Sequence, residues 1–236
     1  MPAFNERERL LRTLSELAAL ESREAITVFL VDDGSSPPVD EASVALSAGH
    51  MRVVIARHVV NLGQGAAIET ARRIALDSRF ATKHAFDAFV TMDADGQHRA
   101  SDVVALAEAV RKGADIALGN RFAGQSNVPA SRRVLLRAAL AFERVVTGAR
   151  LADAHNGLRA FSRRALEGIC IRQNRMAHAT EITQRITRAR GENDALVVVE
   201  VPVSVRYTDE SLAKGQRAGG ALAIVVDLFQ GFLFGK

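Results

Sequence analysis

Short apolar runs alternate with amphipathic stretches along the first half of the chain. Ala25 to Val31 is an apolar run that stops at Asp32-Asp33-Gly34-Ser35-Ser36, which predicts a buried strand and then a turn. Met51 to Ala56, Ala88 to Met92 and Ile116 to Gly119 predict three more strands. Between them the apolar spacing becomes helical. Leu10, Leu14, Leu17 and Leu20 form a stripe after Asn5, which is placed to cap a helix starting at Glu6. Asn61-Leu62-Gly63-Gln64-Gly65-Ala66-Ala67 opens a helix running to about Ser78, and Ser101 is placed to cap one over Asp102 to Lys112. Strands and helices that alternate across short loops predict an α/β fold, with a mostly parallel sheet and helices on both faces.

The second half reads differently. Ser131 to Thr147 predicts a long helix bearing arginines, Leu158 to Phe161 a strand, Thr180 to Arg190 a helix, and Leu196 to Val205 an almost continuous apolar strand. With no internal repeat or low-complexity linker, residues 1–236 read as one domain. The start is unusual. Met1-Pro2-Ala3-Phe4-Asn5-Glu6 has the look of a loop after a strand, with no strand before it. A sheet lacking a central strand leaves a seam of unpaired backbone groups. Either the true start lies upstream, or the chain tolerates the gap.

Composition narrows the partners. The formal net charge is +4, and much of the arginine excess lies in 121–190. Such a surface suits nucleic acid, anionic lipid or a phosphorylated substrate. With no Trp and one Tyr, stacking platforms are scarce, so nucleic acid is not expected. The single cysteine, Cys170, cannot form an internal disulfide; it fits a reducing compartment and reads as a small buried residue. The N-terminus is polar and charged, unlike a signal peptide. The longest apolar stretch, Ala221 to Phe234, is interrupted by Asp227 and Gln230 and falls short of the ~20 residues that span a bilayer. The expected location is cytoplasmic, with peripheral contact at the inner membrane face.

The candidate chemistry begins where the strand Ala88 to Met92 ends, in Asp93-Ala94-Asp95-Gly96-Gln97-His98. On an extended backbone Asp93, Asp95 and Gln97 would point the same way, and oxygen donors at a strand's C-terminal end suit a hard divalent cation. A polar turn is the plain alternative. Asp32-Asp33 ends another strand on the same edge, and carboxylates crowded there need a cation or donor groups to offset them. Gly63 and Gly65 expose backbone N–H groups at a helix start, where a diphosphate or nucleoside could sit, or else simply allow close packing. Arg121 follows a predicted strand on that edge. Arg133 and Arg137 share a helix face, and guanidinium forks match phosphate oxygens. His98, His155 and His178 match no zinc spacing.

Together these residues resemble the family 2 glycosyltransferases of the GT-A fold. The resemblance rests on Pro2-Ala3-Phe4-Asn5-Glu6, Val31-Asp32-Asp33-Gly34-Ser35, Asn61-Leu62-Gly63-Gln64-Gly65-Ala66 and Asp93-Ala94-Asp95-Gly96-Gln97-His98, in that order. Gly119-Asn120-Arg121-Phe122, Asp153 with Gly157-Leu158-Arg159-Ala160-Phe161, Thr180-Glu181-Ile182, and Tyr207-Thr208-Asp209-Glu210-Ser211 with Lys214-Gly215-Gln216 extend it towards polyprenyl-phosphate glycosyltransferases of the dolichol-phosphate mannose synthase type. The family's first strand is missing here.

The resemblance implies a donor-binding half over 1–121 and an acceptor half over 122–236. It implies that Pro2, Ala3 and Glu6 hold the base and ribose of a UDP- or GDP-linked sugar, and that Asp33 contacts the nucleobase. Asp93 would bind ribose or metal; Asp95 and Gln97 would hold Mg²⁺ or Mn²⁺ on the diphosphate. Arg121 and Arg137, with Arg133 beside them, would hold the phosphate of a polyprenyl-phosphate acceptor. Transfer would pass through an oxocarbenium-like transition state and invert the anomeric centre. A lipid phosphate is already ionised and needs no strong base, whereas a hydroxyl acceptor would need one from Asp153 or Glu181. Lys214 and Arg217 precede an apolar C-terminal helix that could lie in a membrane interface. Two other readings stand beside this one: a non-catalytic scaffold of the same fold, and a haloacid-dehalogenase-like phosphatase with Asp93 as nucleophile.

Overall fold

The computed structural model describes residues 1–20, 24–77, 86–124, 140, 151–153, 156–174, 177–189 and 195–206. The expected helix over 131–147, apart from Leu140, lies outside them. So do Arg133, Arg137, His155 and everything from Tyr207 onward.

In chain order the elements are β1 (Pro2–Ala3), α1 (Arg7–Ala18), β2 (Thr27–Asp32), α2 (Glu41–Ala48), β3 (Arg52–Arg57), α3 (Gln64–Leu76), β4 (Phe89–Thr91), α4 (Ala100–Arg111), β5 (Ile116–Asn120), β6 (Arg159–Phe161), α5 (Arg163–Gly168), α6 (Ala177–Ala189) and β7 (Val198–Pro202). The strands form two sheets. The first runs β1-β2-β3, all parallel. The second runs β4-β6-β5-β7, with β6 antiparallel to both neighbours and β5 parallel to β7. Pro2 and Ala3, expected to lie in a loop, form a two-residue strand. They pair with Val31 and Asp32.

Period-two alternation sorts the strand residues into two cores. Ile116, Leu118 and Phe161 join Ile68, Ile182 and Ile186 on one side, while Ala117 and Ala160 join Leu10, Leu14, Leu30 and Leu106 on the other. Both faces of the strands are thus covered by helices, which is why these strands read as apolar runs. In α1 the leucines at 10, 14 and 17 are buried as their spacing requires. Its start differs from expectation. The helix begins at Arg7, and the Asn5 side chain instead accepts a hydrogen bond from Ser36 N at 2.9 Å. Ser101 likewise lies inside α4, whose cap position is Arg99.

Helix α3 is anchored by a buried carboxylate. Glu69 accepts hydrogen bonds from Arg72 Nε (2.8 Å), Arg73 Nε (2.8 Å) and Ile171 N (3.1 Å). Burial opposes its charge, but these donors outweigh burial and hold its pKa at about 2, below the ordinary 4.5. The carboxylate is more acidic folded than unfolded. Its contribution is therefore complete above about pH 4.5 and is lost as pH falls towards 2. Glu69→Gln is expected to cost about 2 kcal/mol at pH 7, after allowing for the solvent around Arg73. Urea unfolding at pH 7 and pH 3 checks it, since the deficit should shrink at the lower pH.

Candidate active site

A cavity of about 360 Å³ opens where β1, β2 and β4 end and α3 begins. Its lining includes Pro2, Ala3, Glu6, Asp33, Gly63 and Gln64, with Asp93 and Asp95 beside them. Open α/β sheets place ligands at this edge, and the volume suits a small ligand. The structure brings Pro2, Ala3, Glu6, Asp33, Gly63, Asp93 and Asp95, all singled out from the sequence, to one cavity, although one of the reasons for grouping them fails. β4 stops at Thr91, and residues 94–96 form a turn with Gly96 at φ +73°. Asp93 and Asp95 come together through that turn and not through strand alternation. Gln97 is not in the lining: its backbone N–H donates to Asp95 Oδ1 at 3.0 Å, and its carbonyl accepts from Arg206 N.

The two acidic clusters have opposite fates. Asp32 is fully buried and accepts hydrogen bonds from Ser35 N, Val39 N and Arg57 Nε at 2.9–3.1 Å. Burial works against its charge, yet these donors prevail and its pKa is lowered. Asp33 Oδ1 meets His58 Nδ1 (2.6 Å) and Leu62 N (3.0 Å); Oδ2 meets Asn61 Nδ2 (3.0 Å) and Gly63 N (2.8 Å). Four partners fill a carboxylate's acceptor sites. Asp33 thereby pins the 61–63 loop and presents Gly63 to the cavity.

Asp93 and Asp95 keep acceptor capacity. Gln64 Nε2 donates to Asp93 Oδ1 at 2.7 Å, and His98 Nε2 lies 3.8 Å from Oδ2. Burial disfavours the Asp93 charge, but His98, with Arg159 and His178 nearby, outweighs it and lowers its pKa. Asp95 is pushed the other way, first by burial and then by the Asp93 charge. An acid held against its charge, beside an ionised neighbour, fits a cation. Among the described residues no three His, Cys, Asp or Glu side chains form a metal cage. One or two carboxylates plus substrate phosphates are the usual way to hold Mg²⁺.

A family model described as Glycosyl transferase family 2 matches residues 1–170, most of the chain. The chain belongs to that family. Polyprenol monophosphomannose synthase of Mycolicibacterium smegmatis is 27% identical over 225 residues, covering 93% of this chain and 80% of that protein. Undecaprenyl-phosphate mannosyltransferase of Micrococcus luteus is 28% identical over 235 residues, covering 96% of this chain and 89% of that protein. Glucosyl-3-phosphoglycerate synthase from Mycobacterium tuberculosis, solved with Mn²⁺, uridine diphosphate and phosphoglyceric acid, superposes with a TM-score of 0.62 at 18% identity. That superposition covers 96% of this chain and 75% of the other, and places the fold as GT-A. The phosphatase reading gains no support from these matches.

In this glycosyltransferase the two base candidates are occupied. Asp153 Oδ2 accepts from Arg121 N (3.0 Å) and Arg121 Nε (2.6 Å), a buried ion pair outside the cavity lining. That pair also engages Arg121 with a carboxylate where a phosphate had been expected. Glu181, on α6, accepts from Arg172 N and Gln173 N through Oε2, and from Arg185 through Oε1. Burial opposes its charge, but Arg185 and the two backbone N–H groups prevail and lower its pKa. A carboxylate so filled is a poor base and a good strut. It fixes residues 172–174, and Asn174 Oδ1 accepts from Ala66 N at 2.7 Å in the first turn of α3.

Sequence reasoning missed Gln64, Asn174 and Gly157 as site-building residues. Gln64 and Gly157 stood inside motifs already singled out. Asn174 reaches Ala66 across 108 residues and leaves no local signal. Among the described residues no helix is long and apolar enough to cross a membrane.

Proposed function

We propose that this protein transfers a sugar from a nucleoside diphosphate sugar to a polyprenyl phosphate, with inversion at the anomeric carbon. The observation that carries the reading is the cavity where Asp93 and Asp95 retain acceptor capacity while Asp32 and Asp33 do not. Pro2, Ala3 and Glu6 would receive the nucleoside, and the start of α3, braced by Asn174 and Asp33, would face the diphosphate. Asp93 and Asp95 would hold Mg²⁺ or Mn²⁺, which when bound supplies Lewis-acid stabilisation of the departing diphosphate. Gln64 orients Asp93, and the Gln97 N–H orients Asp95.

The acceptor class is supported by what the candidate bases are doing. A hydroxyl acceptor needs a free base, whereas Asp153 is ion-paired to Arg121 through Oδ2 and both oxygens of Glu181 accept from donors. A phosphate oxygen is already ionised and attacks without one. The names of the relatives from M. smegmatis and M. luteus point the same way. Arg133 and Arg137, outside the described residues, remain the candidate phosphate anchors.

The test is a panel of UDP- and GDP-linked sugars with Mg²⁺ or Mn²⁺ and a short polyprenyl phosphate, with products weighed by mass spectrometry. A sugar-lipid from one donor, absent with chelator, is the expected result. Donor binding with transfer only to a hydroxyl acceptor would overturn the acceptor assignment. No donor binding would favour the scaffold.

A further inference from the structure

Asp93 is approached at both oxygens. Gln64 Nε2 donates to Oδ1 at 2.7 Å, and His98 Nε2 lies 3.8 Å from Oδ2. Oδ2 also lies against Gly157, where an added Cβ would come within 2.5 Å of it. The carboxylate thus sits between an amide, an imidazole and bare backbone. At 3.8 Å the imidazole contact is electrostatic, and a small turn of the carboxylate brings it to hydrogen-bond length. Burial opposes the Asp93 charge, and His98 is the foremost group that offsets burial.

The two nitrogens of His98 differ. The residue is 5% exposed, and its Nδ1 is buried with no hydrogen-bond partner among the described residues. An unpaired buried polar atom costs stability, and an apolar side chain of similar size would not carry that cost. Packing alone therefore does not account for a histidine at this place, whereas Nε2 does. With its hydrogen on Nε2, the neutral ring offers a donor to the Asp93 carboxylate and leaves a lone pair at Nδ1. The other tautomer would set a lone pair against a carboxylate and bury an unmatched N–H.

Residues 203–206, which follow β7, hold the ring in place. Val205 forms an antiparallel bridge with His98, and Arg206 N donates to Gln97 O at 2.8 Å. Ser204 N donates to Asp102 Oδ2 on α4 (2.8 Å), and Val203 N to Asn120 O on β5 (3.1 Å). The Arg206 guanidinium meets Glu16 Oε1 on α1 at 2.7 Å. The His98 backbone is thereby fixed from outside the cavity.

We propose that His98 is a positioning residue, whose Nε2–H holds the Oδ2 end of Asp93 so that the remaining lone pairs of the carboxylate face the cavity and a cation there. His98 is not in the cavity lining, so it acts through Asp93 and not on the donor. This role rests on the reading of Asp93 as a metal ligand.

The test uses His98→Gln, His98→Met and His98→Asn beside Asp93→Asn. A glutamine amide reaches to where Nε2 lies, methionine has that length without a donor, and asparagine reaches only as far as Nδ1. Mn²⁺ is titrated with uridine or guanosine diphosphate present, the free ion being followed by electron paramagnetic resonance. Thermal melts and steady-state transfer are read alongside. His98→Met and His98→Asn are expected to weaken Mn²⁺ binding by about 10–100-fold, with His98→Gln within about threefold of the unaltered chain. In the first two kcat should fall while KM for the acceptor holds. If His98→Asn does not fold, the comparison of His98→Gln with His98→Met still decides. A packing role would lower the melting temperature and the amount of Mn²⁺ bound at saturation with its dissociation constant unchanged, and that result would overturn the proposal. So would one dissociation constant shared by all the His98 variants, with binding lost in Asp93→Asn. Unaltered binding in Asp93→Asn would instead overturn the reading of Asp93 as a ligand, and the role of His98 with it.

Discussion

Asp95→Asn is expected to abolish measurable transfer while leaving the fold at least as stable as before. The two effects share one cause. Asp95 is held against its charge by burial and by Asp93. A folded-state pKa above the ordinary value means that ionisation opposes folding at neutral pH. The amide keeps an oxygen for the Gln97 N–H, now 3.0 Å from Oδ1. It removes the charge that repels Asp93 and the charge that would hold a cation. Loss of one charge-stabilising group in a closed site typically costs about 10²–10³ in kcat, and loss of a metal clamp reaches the upper end. Steady-state transfer, Mn²⁺ titration in the presence of nucleoside diphosphate, and a thermal melt check it together. Weakened Mn²⁺ binding with an unchanged or raised Tm is the expected pattern. Full activity would remove Asp95 from the metal site, and a large fall in Tm would make it a structural residue.

That split between function and stability also explains what was legible in the sequence. Strand-terminal motifs write themselves locally: an apolar run that ends in Asp93-Ala94-Asp95 or Asp32-Asp33 announces both the strand and its polar tip. The edge on which they meet follows from parallel topology. What local pattern cannot convey is how acceptors are divided among donors. Asp33 and Asp93 look equivalent in the sequence, yet loop 61–63 and His58 fill the first, and the second is left with Gln64 and a distant imidazole. Glu181 and Asp153 stood as base candidates as carboxylates within family-like motifs, although Arg185, one turn beyond Glu181, is a partner visible in the sequence. Their other partners, Arg172, Gln173 and Arg121, are fixed by tertiary packing. The divided sheet follows the same rule. A brief strand at Pro2–Ala3 has too few residues for periodicity to register, and only its pairing with Val31 and Asp32 reveals it.

Gly157→Ala should cut activity about a hundredfold with little loss of stability, and Gly65→Ala should do the reverse in proportion. Both add one methyl group at a close approach in the site, but the obstacles differ. At Gly157 the new Cβ would lie 2.5 Å from Asp93 Oδ2 and 3.1 Å from its Cγ. A carboxylate can turn away, so the fold absorbs the methyl at a cost near ~1 kcal/mol, the lower end for overpacking. Turning takes Asp93 from the 2.7 Å bond with Gln64 and from its place beside Asp95, and displacement of a reacting group by about 1 Å costs on the order of 10²-fold. At Gly65 the Cβ would collide with the Gln173 carbonyl, a backbone atom held by Glu181 through the Gln173 N–H. That obstacle cannot turn. The start of α3 must shift or the 172–174 segment must detach from it, so the stability cost should reach about 2–3 kcal/mol. Parallel melts and transfer assays on the two variants read the comparison directly. Equal stability losses would mean that Asp93 is as rigidly fixed as the backbone and has no freedom to adjust to a donor. Normal activity in Gly157→Ala would mean that the Asp93 carboxylate works from another position than the one beside Gln64.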